Sequence, residues 1–139
     1  MAKMINSNDV IEDISLKLNQ ISEDLDNELR QEMLDTGAEA IEFCWVKSIK
    51  KHKHVDTGSL VNGIKTSRSS RGKSKRVISP HGKDEKGVTN MEKAFDLNYG
   101  KSGLLGSRFV DEAEEAADVE AALAMQDVFF DYLDKNGYL

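Results

Sequence analysis

The 139 residues include a single cysteine and a single proline, and only 6% of them are aromatic. The lone Cys44 excludes an intramolecular disulfide and any multi-cysteine zinc or iron–sulfur centre, and it fits a reducing compartment. No unbroken apolar run approaches the roughly 20 residues that a membrane span requires. The first nine residues hold no apolar h-region, so the sequence predicts a soluble chain without a secretion address. A Gly-rich phosphate loop, a GxGxxG sequence and a Ser/His/Asp order are also missing. At this length a folded chain hides roughly two-thirds of the surface its unfolded form exposes, enough for one core and one domain, 1–139. Hydrophobic residues make up 39%, but 32% charge and a mean hydropathy of -0.52 require that core to be thin. An elongated or partner-supported shape is expected.

The net charge of -6 hides a segregation. Residues 1–46 hold 11 acidic and 3 basic groups, residues 47–86 hold 3 and 12, and residues 87–139 hold 11 and 4. Blocks of this kind are usually solvated faces, but acidic ends around a basic middle also let one copy attract another.

Three segments follow from the periodicity. Apolar residues recur at Val10, Ile14, Leu18, Ile21, Leu25, Leu29 and Met33, then at Ile41, Trp45 and Ile49, in steps of three or four. That rhythm predicts one long helix over about 8–54, or two separated near Asp35-Thr36-Gly37, with Ser7 as N-cap and lysines near the C-terminal end. Such a rod cannot bury its own stripe and needs something to lie against. Glycines then punctuate residues 56–106, where short strands are expected at Ile64 to Arg68, Lys75 to Ser79 and Ala94 to Tyr99. The last of these sets Phe95, Leu97 and Tyr99 at period two. Between the first two strands, 68–76 reads as an exposed, flexible hairpin tip. A C-terminal helix is expected over 107–135, with Phe109, Ala113, Ala116, Val119, Leu123, Phe130 and Leu133 on one stripe packed on the N-terminal helix. The predicted class is α+β, with the long terminal helices packed on a small antiparallel sheet that carries a long basic hairpin.

Asp-Thr-Gly occurs twice, at Asp35-Thr36-Gly37 and Asp56-Thr57-Gly58. Aspartic proteases carry this tripeptide, and their chemistry needs two carboxylates about 3 Å apart sharing one proton on loops of a mostly β scaffold. No strand precedes either copy here, so protease is the weaker of two alternative readings. The structural use is simpler: Asp56 would cap a short helical turn through Leu60 to Asn62, worth about 1 kcal/mol. His52, His54 and Asp56, with Cys44 or His81 as distant helpers, form the one grouping with metal-ligand chemistry. Residues two apart on a helix point in different directions, and Lys51 and Lys53 repel a cation, so no metal or cofactor is expected. Cys44 beside Trp45 reads as a small core residue.

Lys65, Arg68, Arg71, Lys73, Lys75 and Arg76 place six cations within residues 65–76. A nucleic-acid binder would use them on phosphates, which is the other alternative reading. No aromatic lies between them for base stacking, and the acidic flanks repel the same polymer. An arm reaching an acidic protein surface needs fewer assumptions.

The order of segments resembles the minor tail-component or tail-completion proteins of lambdoid-type, long-tailed bacteriophages. The family pattern runs from an amphipathic helix to a Pro-x-Thr-Gly-x-Leu-like turn with a small-apolar pair, and on to a variable β-hairpin. A strand ending in Glu-aromatic-Gly and a Pro-Phe opening a C-terminal helix complete it. This chain has Asp56-Thr57-Gly58-Ser59-Leu60, Gly63-Ile64, Asn98-Tyr99-Gly100, and Arg108-Phe109 ahead of Ala113. It departs at Val55, Asn98 and Arg108, where the pattern has proline, glutamate and proline. The resemblance implies a non-enzymatic virion subunit, made in the bacterial cytoplasm, that forms a ring of about six copies at the head–tail junction. It also implies head-tail adaptor and tail-tube proteins as partners, with no membrane and no sequence-specific nucleic acid. In that setting the Arg68 to Arg76 arm is expected to dock on Glu112, Glu114 and Glu115 of the adjacent copy, with monomers in dilute solution.

Overall fold

In the computed structural model the described residues are 7–26, 28–68 and 75–139, with positions 7, 8 and 68 described by backbone only. The expected Ser7 cap and the hairpin tip with Arg71 and Lys73 therefore lie outside the described residues. Among the described residues, five helices and two antiparallel strand pairs follow in order: α1 (Ser7–Asp26), α2 (Glu28–Lys51), α3 (Ser59–Asn62), β1 (Ile64–Arg68), β2 (Arg76–Pro80), α4 (Asn90–Tyr99), β3 (Gly100–Lys101), β4 (Leu104–Leu105) and α5 (Phe109–Lys135). The α+β class predicted from the sequence is the one observed. Among the described residues, no helix is long and apolar enough to cross a membrane.

The central element is α2. Its most extensive contact is with α5, and it also packs on β1 and β2. Trp45, Ile49, Leu60, Ile64, Ala94, Phe109 and Ala113 form the core, which Ile41, Val61, Ile78 and Leu97 extend. Phe109 is fully buried, its ring edge-on to Trp45 with centroids 6.3 Å apart, and Ser48 Oγ donates to the Phe109 carbonyl at 2.6 Å. Cys44 is buried as expected, and desolvation pushes its thiol pKa up.

The N-terminal segment is helical over Ser7–Asp26 and again over Glu28–Lys51, and it is not interrupted near Gly37. Gly37 sits inside α2 because α5 crosses closely there; a Cβ on it would lie 3.0 Å from Met125 Cγ and Sδ. The glycine of that Asp-Thr-Gly therefore serves helix packing, not a turn.

The β1–β2 hairpin pairs Ile64 with Pro80 and Arg68 with Arg76, so the second strand lies one residue later than the sequence suggests. Residues 94–99, read as a strand, are helical within α4. Its buried face is Asn90, Ala94 and Asn98, spaced by four, so the face that meets the core is largely polar. Phe95 and Tyr99, whose alternation imitates a strand, are both exposed. The apolar stripe of α5 also divides. Phe109, Ala113 and Ala117 are buried, whereas Ala116, Val119, Leu123 and Phe130 face solvent.

Candidate functional site

The residues that carry the sequence pattern converge where α2 ends and α5 begins. After Lys51 the chain turns through Lys53, a non-glycine residue at φ 58°, into Asp56–Ser59. The turn is not capped by Asp56. Gly58, at φ 86°, occupies the N-cap of α3 without a side-chain bond, and the Ser59 N–H donates to Thr57 Oγ1 at 3.3 Å. Threonine therefore takes the role expected of the aspartate. Leu60 then drops into the core beside Ile64, Phe109 and Ala113.

Gly63 is where the backbones come closest: a Cβ there would lie 2.4 Å from the His81 carbonyl and 2.6 Å from Asn90 Nδ2. Asn90, 1% exposed, binds these pieces together. Its Nδ2 donates to the carbonyls of Ser59 at 3.0 Å and His81 at 2.7 Å, and its Oδ1 accepts from Ser59 Oγ at 3.1 Å. Gly100 ends α4 at φ 86°, with the Leu104 carbonyl and the Gly106 nitrogen 2.7 Å from any added Cβ. Tyr99 beside it is exposed and lies under the Arg108 guanidinium, 5.0 Å from the ring centroid.

Asn98 is the second buried amide. Its Oδ1 accepts from the N–H groups of Val110 at 2.9 Å and Asp111 at 3.4 Å, satisfying free donors at the start of α5, while its Nδ2 is buried without a partner. Asn90 carries no mark in the sequence analysis, and Asn98 enters it only as a departure from the family pattern. The signal that was present is Thr89-x-x-Glu92, a capping-box pattern whose Thr89 side chain accepts from the Glu92 N–H at 3.2 Å and starts α4.

A cleft of about 420 Å³ opens over this junction, lined by Lys53, His54, the 56–60 turn, Lys93, Asp96, Leu97, Lys101 and Leu104. His54 packs edge-on against Phe109 at 5.1 Å, and its Nε2 lies 2.7 Å from Ser107 Oγ. Burial, and then neighbouring His52, hold its pKa below the ordinary imidazole value. Lys93 pairs with Asp84 at 2.7 Å, and Lys101 reaches Asp96 at 3.4 Å. Several charges on this wall are therefore matched within the chain.

His52 and His54 do not converge on a common point. Their rings stack with centroids 6.0 Å apart, and His52 bonds to Glu112 while His54 turns to Ser107. Among the described residues no group of three or more His, Cys, Asp or Glu is placed to hold a metal ion. The two Asp-Thr-Gly aspartates do not meet either. Asp35 lies in mid α2, bonded to Arg76, and Asp56 follows the end of that helix; the helical stretch between them rises roughly 24 Å.

The basic arm is partly committed within the chain. Arg76 Nε donates to Asp35 at 2.9 Å and its second terminal nitrogen to Gln31, leaving its side chain only 3% exposed. Lys65 and Lys75 are exposed. Of the expected acceptors, Glu112 is bonded to both Lys51 and His52, and those bonds hold its carboxyl below the usual range. Glu114 and Glu115 are exposed. Arg76 and Glu112 therefore leave the set of residues open to a neighbour, because each already has partners in its own fold.

No protein-family model, curated protein or solved structure matches this chain.

Proposed function

We propose that the chain is a non-enzymatic structural subunit of a long-tailed phage or prophage, of the tail-completion type that joins head to tail as a ring. The observation that carries this reading is the convergence of the pattern residues. Leu60, Ile64, Phe109 and Ala113, spread over more than 50 positions of sequence, share one core cluster. Gly63 and Gly100 stand where neighbouring backbone leaves no room for a Cβ. Residue types at those positions are thus tied to one tertiary arrangement, as expected if the order of segments reflects a common fold.

Two departures from the pattern have a physical reading. Asn98 supplies the acceptor oxygen at the start of α5, a task a carboxylate at that place would also serve. Arg108 stands at φ 59°, which a proline ring forbids, so the entry to α5 takes its own path here. For contacts between copies, Lys65 and Lys75 with the hairpin tip are the cationic side, and Glu114 and Glu115 the acidic side. Exposed pairs contribute roughly 0 to 1 kcal/mol each, so a ring forms at high local concentration or on a template.

The test is deletion of the gene from the phage or prophage genome that carries it, followed by electron microscopy of the lysate. Unjoined filled heads and free tails, rejoined when the chain is supplied in trans, are expected. Joined, infectious particles from the deletion would contradict the reading.

A further inference from the structure

We propose that α1 of one copy docks on the outer face of α5 in the next copy, so that two apolar seams left open in the single chain cover each other. This names the contact between copies, and it rests on the structural-subunit reading above only for the closure of a ring.

From Asp9 through Gln20 every residue of α1 is exposed. Ile11, Ile14 and Leu18 stand at steps of three and four, the spacing by which one helix seats in the seam of another, and each is at least 50% exposed. On α5, Ala116, Val119, Leu123, Gln126 and Phe130 follow the same alternation, and all five are exposed. That row lies on the side of α5 away from the buried Ala117. The lengths match, because Val10 to Ile21 and Val119 to Phe130 each rise roughly 16 Å. The far end of α1 is anchored to its own body, where it adjoins α2 and Tyr132 donates to Asp24. Its uncovered half is marginal in water without tertiary support, and a neighbour's α5 supplies the packing it lacks.

Charge separates the possible pairings. The α5 row is bordered on one side by Glu120, Asp127 and Asp134, at steps of seven, and on the other by Glu115, all of them exposed. Two α5 faces together would set acid against acid, and an anionic lipid surface would be repelled in the same way. The α1 seam brings no such conflict. Along its uncovered half Asp9, Glu12 and Asp13 lie about 120° or more round the helix, and the seam is bordered by Val10, Ser15 and Lys17. Lys17, which pairs with the exposed Asp13 at 3.1 Å, is the charge on that border, and its sign is the one the α5 acids attract. A pair of α1 helices would leave the α5 seam open and give Lys17 no acid across the contact. With α1 on α5, both seams are covered and the charges agree. Each copy carries one face of each kind, so the contact runs head to tail from copy to copy and closes as a ring where its rotation permits.

The test follows association of the intact protein by sedimentation at high salt, where contacts through the hairpin arm are screened. Two variants keep every charge: Ile14→Asn with Leu18→Asn damages the α1 seam, and Val119→Asn with Leu123→Asn damages the α5 seam. The unaltered chain is expected to form assemblies larger than a dimer as its concentration rises, and each variant alone to associate at least about tenfold less tightly. An equimolar mixture of the two variants should give a one-to-one dimer and nothing larger, because one intact α1 and one intact α5 remain between them. Leu16→Asn, on the opposite side of α1, should associate like the unaltered chain. Thermal unfolding checks that the body survives, and Ala takes the place of Asn at any position where it does not. An unaltered chain that stays monomeric up to about 1 mM would overturn the proposal, as would a monomeric mixture or a variant that associates as tightly as the unaltered chain. In the last case, association by the α5 variant alone would assign the contact to α1 on α1. The phage deletion is decided separately: infectious particles from it, beside a one-to-one mixed dimer, would refute the tail-completion role and leave this contact standing.

Discussion

Single side chains at the α2–α5 junction decide whether the core closes. Phe109 is fully buried between Trp45 and His54, so Phe109→Ala should lower stability by about 3–5 kcal/mol, read from denaturant midpoints. Asn98→Ala frees the first donors of α5 and should cost about 1–2 kcal/mol by the same measurement, even though it also removes an unpartnered amide. Acid should weaken the fold through two groups. The pKa of His54 is depressed by burial, so the unfolded chain takes up a proton first, and stability falls as pH drops below the ordinary imidazole value of about 6.5. Glu112 is depressed by its bonds to Lys51 and His52, so its contribution holds above the ordinary carboxylate range and is lost below it. Unfolding midpoints between roughly pH 7 and 5 should therefore decline, and His54→Asn should flatten that decline. A midpoint that rises on acidification would contradict this assignment.

Elements differ in how firmly the fold holds them. Amide exchange should be fast over residues 9–20 of α1, which lack tertiary cover, and slowest around Cys44 to Ile49 of α2. Tyr132→Phe should speed exchange further in the last turn of α1, since it removes the hydrogen bond to Asp24. The long helices and the hairpin were legible in the sequence, the hairpin because Gly63 and Pro80 bracket it. The fourth helix was not, because its buried face is Asn90, Ala94 and Asn98, and a face without large apolar residues leaves no periodic signal. Gly37 misled because a close helix crossing and a turn both favour glycine. At the junction, Leu60, Ile64, Phe109 and Ala113 could be read as pattern positions. The roles of the buried asparagines could not, since Asn90 donates to the carbonyls of Ser59 and His81 and Asn98 accepts from the first N–H groups of α5, partners that only the tertiary fold brings to them.

The whole molecule has a thin core at one end, and α1 is an uncovered helix at the other. Sedimentation velocity at low micromolar concentration should give a monomer, with association at higher concentration weakened by added salt, because exposed ion pairs are screened. A ring stable to dilution and to salt would rule out charge exchange as its basis. The building-block reading is tested most directly by locating the chain on assembled particles. Gold-labelled antibody against the purified protein, applied to virions from the phage or induced prophage that encodes it, is expected to mark the junction of head and tail. Particles that carry none of the chain, or label confined to another part of the virion, would contradict the account.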